Sequence, residues 1–463
     1  MNANIKKLLK QTGILAVGTF GSKVLSFIIV PLYTYMLTTA EYGTIDLFTT
    51  LVNLMVPFVT FQIQESMIRY AVGKDYPEKV VLNNCLVIFG VGLLITTMLT
   101  PIYISLFPQY AILYYILLVE NSFVSVFSHY LRIAGNNIAY SLNGILVTLF
   151  TVSLNVLFLL VYHWGINGYL YSMIIAQLVS MIYIIITGRL FKQIDLKLAD
   201  KAVIKDILAY SLPLIPNTLM WWIMNAGDKF IINMFLGVEY NGIYALSSKI
   251  PTIIQMFYSI FTMAWQVSAF ENASDEEKNS YYNEVLSLVG FLLSFGTACI
   301  IAVVKPVFTE LMNEAYITAW RYVPLLCVSM TFSCYSSFFG VFYNVYKVNK
   351  KVMTTTAIGA ITNIVANFIL VKFCGLQGIA LGTLLGFVVM TFIRKIDAVK
   401  LMSSKVLSIR KELCATFVLL FESYVVVTFS GNIGVVMSLL CIISIIVIYS
   451  KDFIKKLKEI STK

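Results

Sequence analysis

Runs of about twenty apolar residues, separated by short polar connections, recur along the whole chain, and each is long enough to cross a ~30 Å hydrocarbon layer as a helix. The pattern predicts fourteen spans, at 12–37, 42–64, 80–107, 111–133, 138–162, 166–190, 206–227, 240–268, 282–304, 320–346, 352–373, 376–396, 411–429 and 431–450. The alternating strands that close a membrane barrel are not seen in the sequence. The first apolar run follows Lys6, Lys7 and Lys10 and continues past Pro31 without a small-residue cleavage site, so it reads as a retained span and not a removed leader. The fold class that follows is an all-α polytopic membrane protein of about 14 transmembrane helices.

Polar residues inside these spans fall at helical spacing. Span one carries Thr19, Ser22, Lys23 and Ser26 on one face; span two carries Asp46, Thr49, Thr50 and Asn53. Span seven aligns Ser211, Thr218, Trp222, Asn225 and Lys229. Span eight aligns Tyr244, Ser248, Gln255, Tyr258 and Gln266, with Lys249 at the edge of the stripe, and span four places Tyr114, Asn121 and Ser125 on one side with Glu120 turned away from them. Serine and threonine alone serve as hydrogen-bonding glue between helices. A charged group within a span costs roughly 2.5 kcal/mol or more unless it faces a partner or water, so Lys23 and Lys249 point to a central aqueous cavity. Asp228 and Lys229, adjacent near the outer face, are expected to be solvated or paired locally, and Glu422 has no assigned role. Pro31, Pro57, Pro213, Pro216 and Pro251 fall in spans one, two, seven and eight, where a missing backbone donor bends a helix; these are the expected gating positions.

Composition sharpens this picture. The mean hydropathy is +0.84, and 59% of the 463 residues are apolar against 12% charged. With the N-terminus inside, twenty-seven of the 33 Lys and Arg lie in inside segments. Lys305, Arg321 and Lys372 alone lie outside, a distribution that obeys the positive-inside rule and puts both termini in the cytoplasm. The net charge of +10 is then accounted for by topology and anionic headgroups, with no need for nucleic acid. Asn272-Ala273-Ser274 matches a glycosylation acceptor on the wrong side of the membrane, and Gly18 to Lys23 has neither the spacing nor the strand of a phosphate loop. The 7 cysteines show no C-x-x-C pair, and His129 and His163 have no partner at ligand spacing, so neither a metal nor another cofactor is expected. Nothing resembles a nucleophile or acid–base constellation, and a transporter, not an enzyme, is expected.

Short motifs repeat in order. Glu41-Tyr42-Gly43 precedes span two, as Glu239-Tyr240-Asn241-Gly242 precedes span eight. Gly165-Ile166-Asn167-Gly168 opens span six, as Gly375-Leu376-Gln377-Gly378 opens span twelve, and small residues follow at every fourth position: Gly168, Ser172, Ala176 against Gly378, Gly382, Gly386. The chain therefore divides into two pseudo-symmetric six-helix lobes plus two C-terminal helices. An N-lobe spans 1–190, a cytoplasmic linker 191–205, a C-lobe 206–400, and an accessory pair with a basic tail 401–463. An even number of spans per lobe places the symmetry axis along the membrane normal, with the substrate path between lobes.

Val30-Pro31-Leu32-Tyr33, Glu41-Tyr42-Gly43, Asp228-Lys229-Phe230-Ile231-Ile232 ahead of Leu236-Gly237, Tyr240 to Gly242, and Ala264-Trp265-Gln266 together resemble the polysaccharide-transport (Wzx-type) flippases of the multidrug/oligosaccharidyl-lipid/polysaccharide (MATE-like, MOP) exporter superfamily. The resemblance implies a pair of lobes that alternate access and move an undecaprenyl-diphosphate-linked oligosaccharide, the repeat unit of O-antigen, capsule or a related polysaccharide, across the bacterial inner membrane. It implies membrane lipids as partners, together with the polysaccharide polymerase and chain-length machinery. On this reading Lys23 and Lys249 meet the diphosphate, and Asn53, Asn225, Gln255, Trp222, Tyr244 and Tyr258 meet the sugars. Asp46 and Glu120 are candidates for proton or cation coupling. Related lipid II flippases carry a base in span two, where this chain has Asp46. The alternative within the same superfamily is a cation-coupled multidrug antiporter.

Overall fold

A computed structural model describes residues 20–73, 75–106, 108–271, 278–346, 348, 350–402, 409–429 and 431–461. A helix occupies each of the fourteen predicted positions. They are α1 (Phe20–Met36), α2 (Thr39–Thr60), α3 (Glu78–Met98), α4 (Ala111–Ile133), α5 (Asn137–Val161), α6 (Gly165–Thr187) and α7 (Lys201–Ala226). Next come α8 (Val238–Lys249, continued by Pro251–Glu271), α9 (Lys278–Leu311) and α10 (Val323–Val345). One run, Lys350–Leu401, contains α11 and α12 and breaks at Gly375, whose φ of 52° lies in the left-handed region that suits glycine. The last two are α13 (Arg410–Thr428) and α14 (Asn432–Ser461). Among the described residues, 10 of these helices are long and apolar enough by themselves to cross a membrane, the Lys350–Leu401 run counting as one. The protein is a multi-pass, all-α membrane protein. Glycosylation-like Asn272 to Ser274 and the loop-like Gly18 and Thr19 lie outside the described residues.

The breaks follow the prolines. α1 is interrupted at Ile29, and its second part begins at Val30 with Pro31 in the first turn. α2 ends one turn beyond Pro57, where Phe61 and Gln62 both take positive φ, and a short helix, Ile63–Val72, resumes. α7 has a turn at Leu212-Pro213, and Pro216 sits in the turn that follows. α8 is broken at Ile250, and Pro251 restarts it. Pro31, Pro216 and Pro251 are tolerated because the donor each lacks belongs to a first helical turn, whereas Pro57 lies inside α2, where it removes an intrahelical bond close to the helix end.

The chain forms two compact units, Met1–Trp222 and Ile223–Lys463. The sequence reading set the lobe boundary in 191–205, and the structure has a physical reason for the later division. Two adjacent, fully buried asparagines of α3 hold the connecting segment to the first unit. Asn83 donates to the Gln193 carbonyl at 2.9 Å and accepts from the Asp195 N–H at 2.7 Å. Asn84 donates to the Leu198 carbonyl at 3.0 Å and accepts from the Asp200 N–H at 2.8 Å. Ser66 and Tyr70 donate to the Ile207 and Asp206 carbonyls, and the Tyr76 hydroxyl donates to the Asp206 carboxylate at 2.6 Å. That last bond, outside the spans, holds the Tyr76 proton above the ordinary phenol range.

In the first unit Phe48, Ile63, Leu117, Phe127 and Ile207 belong to one apolar core. In the second, Trp265 of α8 stacks on Phe338 of α10 at 4.4 Å and donates to the Phe338 carbonyl at 3.3 Å. The Glu41 motif is a helix start: Thr38 accepts from the Glu41 N–H at 3.2 Å while the Glu41 carboxylate accepts from the Thr38 N–H at 2.8 Å. This reciprocal cap satisfies two orphan donors.

The repeat is legible in the packing. In the first unit Ser172 of α6 donates to Asn155 of α5 at 2.7 Å, and Asn155 donates to the Tyr33 hydroxyl at 3.0 Å. In the second, Gly382 of α12 lies against Asn367 of α11, where a Cβ would meet the Asn367 N at 2.9 Å. Each unit crosses its fifth and sixth helices at an asparagine and a small residue, as the motif alignment of Ser172 with Gly382 requires.

Candidate functional site

The cations singled out by the sequence are both exposed, Lys23 on the first part of α1 and Lys249 on the last turn before the break of α8. Neither forms an ion pair with a described residue. Gln255, one turn into the second part of α8, is exposed as well, and Thr252 between them donates to the Lys249 carbonyl at 2.5 Å. The break at Ile250 thus sets a cation and an amide at one bend of a membrane helix. Asn53 on α2 and Asn225 on α7 are exposed; Asp46 on α2 is half-buried. Trp222 is half-buried and its indole N–H donates to the Thr50 carbonyl at 3.3 Å, bringing α7 onto the polar face of α2. Gln62, at the positive-φ break, donates to the Thr218 hydroxyl at 2.9 Å and adds a second tie between the same two spans.

Other residues are placed differently. Tyr244 is fully buried, with Asp228 and Thr383 beside its hydroxyl, so it presents no ring face to a cavity. Tyr258 is buried in the wall of an apolar groove. Glu120 is 6% exposed, and its Oε2 is buried without a hydrogen bond. Asn121 of the same helix accepts from Gln177 of α6 at 3.0 Å and serves as glue between helices.

Asp228, expected to be solvated or paired locally, is not solvated: it is 5% exposed, at the start of the short helix Asp228–Phe235 that follows α7. Around Tyr244, Asn363 donates to the Thr383 hydroxyl at 3.3 Å and Asn367 donates to Asn363 at 3.4 Å, both amides buried. Asn367 Oδ1 is buried without a hydrogen bond. Carboxylate, amide, hydroxyl and phenol groups from α7, α8, α11 and α12 are thereby gathered inside the second unit, oxygen donors of the hard type that suit protons and alkali or alkaline-earth cations. The amide periodicity of Asn363 and Asn367, one turn apart in an apolar span, was the sequence signal for this cluster.

Arg394, counted among the inside basic residues, is 2% exposed on α12. Its guanidinium donates to Thr355 at 3.1 Å, to the Ser336 carbonyl at 3.1 Å and to Thr356 at 2.8 Å. Three acceptors from two helices occupy the donor fork of the arginine. One turn on, Asp397 accepts from Tyr343 at 2.9 Å and from Lys351 at 2.8 Å. The group fastens α10, α11 and α12 to one another.

Solved structures of similar fold define the class. The chain aligns with the lipid II flippase MurJ in an inward closed conformation at a TM-score of 0.70 and 15% identity, over 96% of this chain and 99% of that one. It aligns with the Vibrio cholerae MATE transporter VcmN at 0.62 and 13% identity, over 87% and 98%. An inward-facing multidrug resistance MATE transporter of the MOP superfamily gives 0.59 and 15%, over 86% and 95%. At such identities the likeness shows the fold, which is that of the MATE/MurJ-like membrane transporters. The sequence pattern of the family described as polysaccharide biosynthesis protein matches residues 8–267, and the chain belongs to that family. An uncharacterized membrane protein of Methanocaldococcus jannaschii is 27% identical over 252 residues, 51% of this chain. The chain spans 59% of the length of that relative.

Proposed function

We infer that the protein is a flippase that moves an undecaprenyl-diphosphate-linked oligosaccharide from the inner to the outer leaflet of a bacterial inner membrane, with both termini cytoplasmic. The observation that carries this is the pair of exposed cations, Lys23 and Lys249, within membrane helices of a polysaccharide biosynthesis protein. A diphosphate carries its charge into a low-dielectric path, where attraction to a lysine is several-fold stronger than in water. Sugars, rich in hydroxyls and with apolar ring faces, are met by the amides of Asn53, Asn225 and Gln255 and by the indole of Trp222. Bends at the proline positions of α1, α2, α7 and α8 supply the alternation of access. Coupling falls to a carboxyl: Asp46, Glu120, or Asp228 within its amide and hydroxyl cluster. The repeat unit belongs to O-antigen, capsule or a related polysaccharide, and the polymerase and chain-length machinery receive it.

The test is the leaflet distribution of lipid-linked repeat units in cells lacking the gene. Accumulation on the cytoplasmic side is expected, reversed by the wild-type gene, not by Lys23→Ala or Lys249→Ala, and in part by the arginine variants. No accumulation, with a change in dye or drug efflux, would overturn the reading in favour of a multidrug antiporter.

A further inference from the structure

We propose that the groove between α8 and α9 is a seat for an unsaturated polyprenyl chain, the tail of the lipid-linked substrate; the assignment of the tail's source rests on the flippase reading above. The groove holds about 480 Å³ and lies wholly within the second unit. Phe257, Tyr258 and Phe261 line one side, and Leu293, Gly296 and Thr297 the other; among the described residues no charged side chain lines it. Phe257 and Leu292, both in the lining, are 58% and 56% exposed, so the groove opens on an apolar surface of the second unit. A hydrophilic sugar, with many hydroxyls to satisfy, is poorly matched there: the Thr297 hydroxyl is already shared with Thr331 at 2.8 Å, and Tyr258 carries the other side-chain hydroxyl of the lining.

Tyr258 selects among hydrocarbons. Its hydroxyl is buried without a hydrogen bond. Its polar neighbours are Cys334 and Thr262, whose own hydroxyl donates to the Tyr258 carbonyl at 2.9 Å. A saturated chain offers a buried phenol nothing, whereas the double bonds of a polyprenyl chain offer a π face as a weak acceptor. The regular methyl branches of such a chain also fill the spaces between rings better than a straight chain does. Gly296 opens the site from the other side: a Cβ built there meets nothing within 4 Å, so the cavity begins at the backbone of α9.

The same fact supplies the test. Gly296→Phe starts a side chain at a Cβ position with no atom within 4 Å and directs a ring into the groove, in a helix interior where glycine is the weaker helix former. The full-length protein in detergent is incubated with undecaprenol, which carries neither phosphate nor sugar, and retention is read by native mass spectrometry. Gly296→Phe is expected to weaken retention by about tenfold or more. Tyr258→Phe is expected to weaken retention of undecaprenol about threefold and leave that of its fully hydrogenated analogue unchanged. Thermal unfolding run alongside checks the fold, and Leu293→Trp blocks the groove independently if Gly296→Phe is destabilised. Equal retention by both blocked variants, or displacement of undecaprenol by dioleoyl phosphatidylglycerol at equal concentration, would overturn the proposal. Since the readout is binding and not transport, polyprenol retention in cells that accumulate no lipid-linked repeat unit would sink the flippase reading and leave the seat standing.

Discussion

The indole of Trp222 donates to the Thr50 carbonyl, so α7 is tied to α2 at the last residue before the chain passes into its second unit. With the Gln62–Thr218 bond 2.9 Å long, two spans that contain prolines at their breaks are coupled twice. Trp222→Phe keeps the ring and removes the donor. Paired with Gln62→Leu, it is expected to leave expression intact and change the rate of export of lipid-linked repeat units by about three- to tenfold, a loss of roughly one net hydrogen bond at each site. An unchanged rate would show that α2 and α7 move as one body.

Asn83 and Asn84 each make two bonds to the segment 193–200. Replacing either with Leu strands a buried N–H and carbonyl, at a cost of about 1–3 kcal/mol each. Limited proteolysis within 191–205 should then become markedly faster, the double variant exceeding either single one. Cleavage at the wild-type rate would mean that other contacts hold the segment.

Gly382 and Ser172 occupy equivalent crossings but tolerate different changes. Ser172→Ala loses one hydrogen bond, about 1 kcal/mol. Gly382→Val drives a side chain against the backbone N of Asn367, and overpacking of this kind costs about 1–3 kcal/mol or more. Melting temperatures in detergent should order as wild type, Ser172→Ala, Gly382→Val. The reverse order would contradict the close crossing of α11 and α12.

Arg394 spreads three donors over α10 and α11. Arg394→Lys keeps the charge but supplies a point donor in place of a planar fork, leaving acceptors unmet, and is expected to cost about 2 kcal/mol or more. The variant should melt several degrees lower and give less folded protein. Full recovery by lysine would show that charge alone matters there.

The apolar runs by themselves determined the fold class, because a span needs only its own length and composition to satisfy its backbone in lipid. All fourteen helices, and the proline-linked breaks at Ile29, Ile250 and Leu212, were in reach of that argument. So was the exposure of Lys23 and Lys249, the costliest residues to bury without a partner. What a side chain meets across a helix interface is a different matter, since periodicity gives a face but not the neighbour. The partners of Arg394, Thr355, Thr356 and Ser336, come from two other helices and could not be read from its own. The burial of Asp228 beside Tyr244, and the apolar wall that α9 sets opposite Tyr258, could not be read from either residue's own helix. The anchors of the linker, Asn83 and Asn84, lie over a hundred residues away and could not be read from the linker's own sequence. Tertiary structure decided these cases because the free energy of a polar group in a membrane protein depends on the partners that other helices deliver to it.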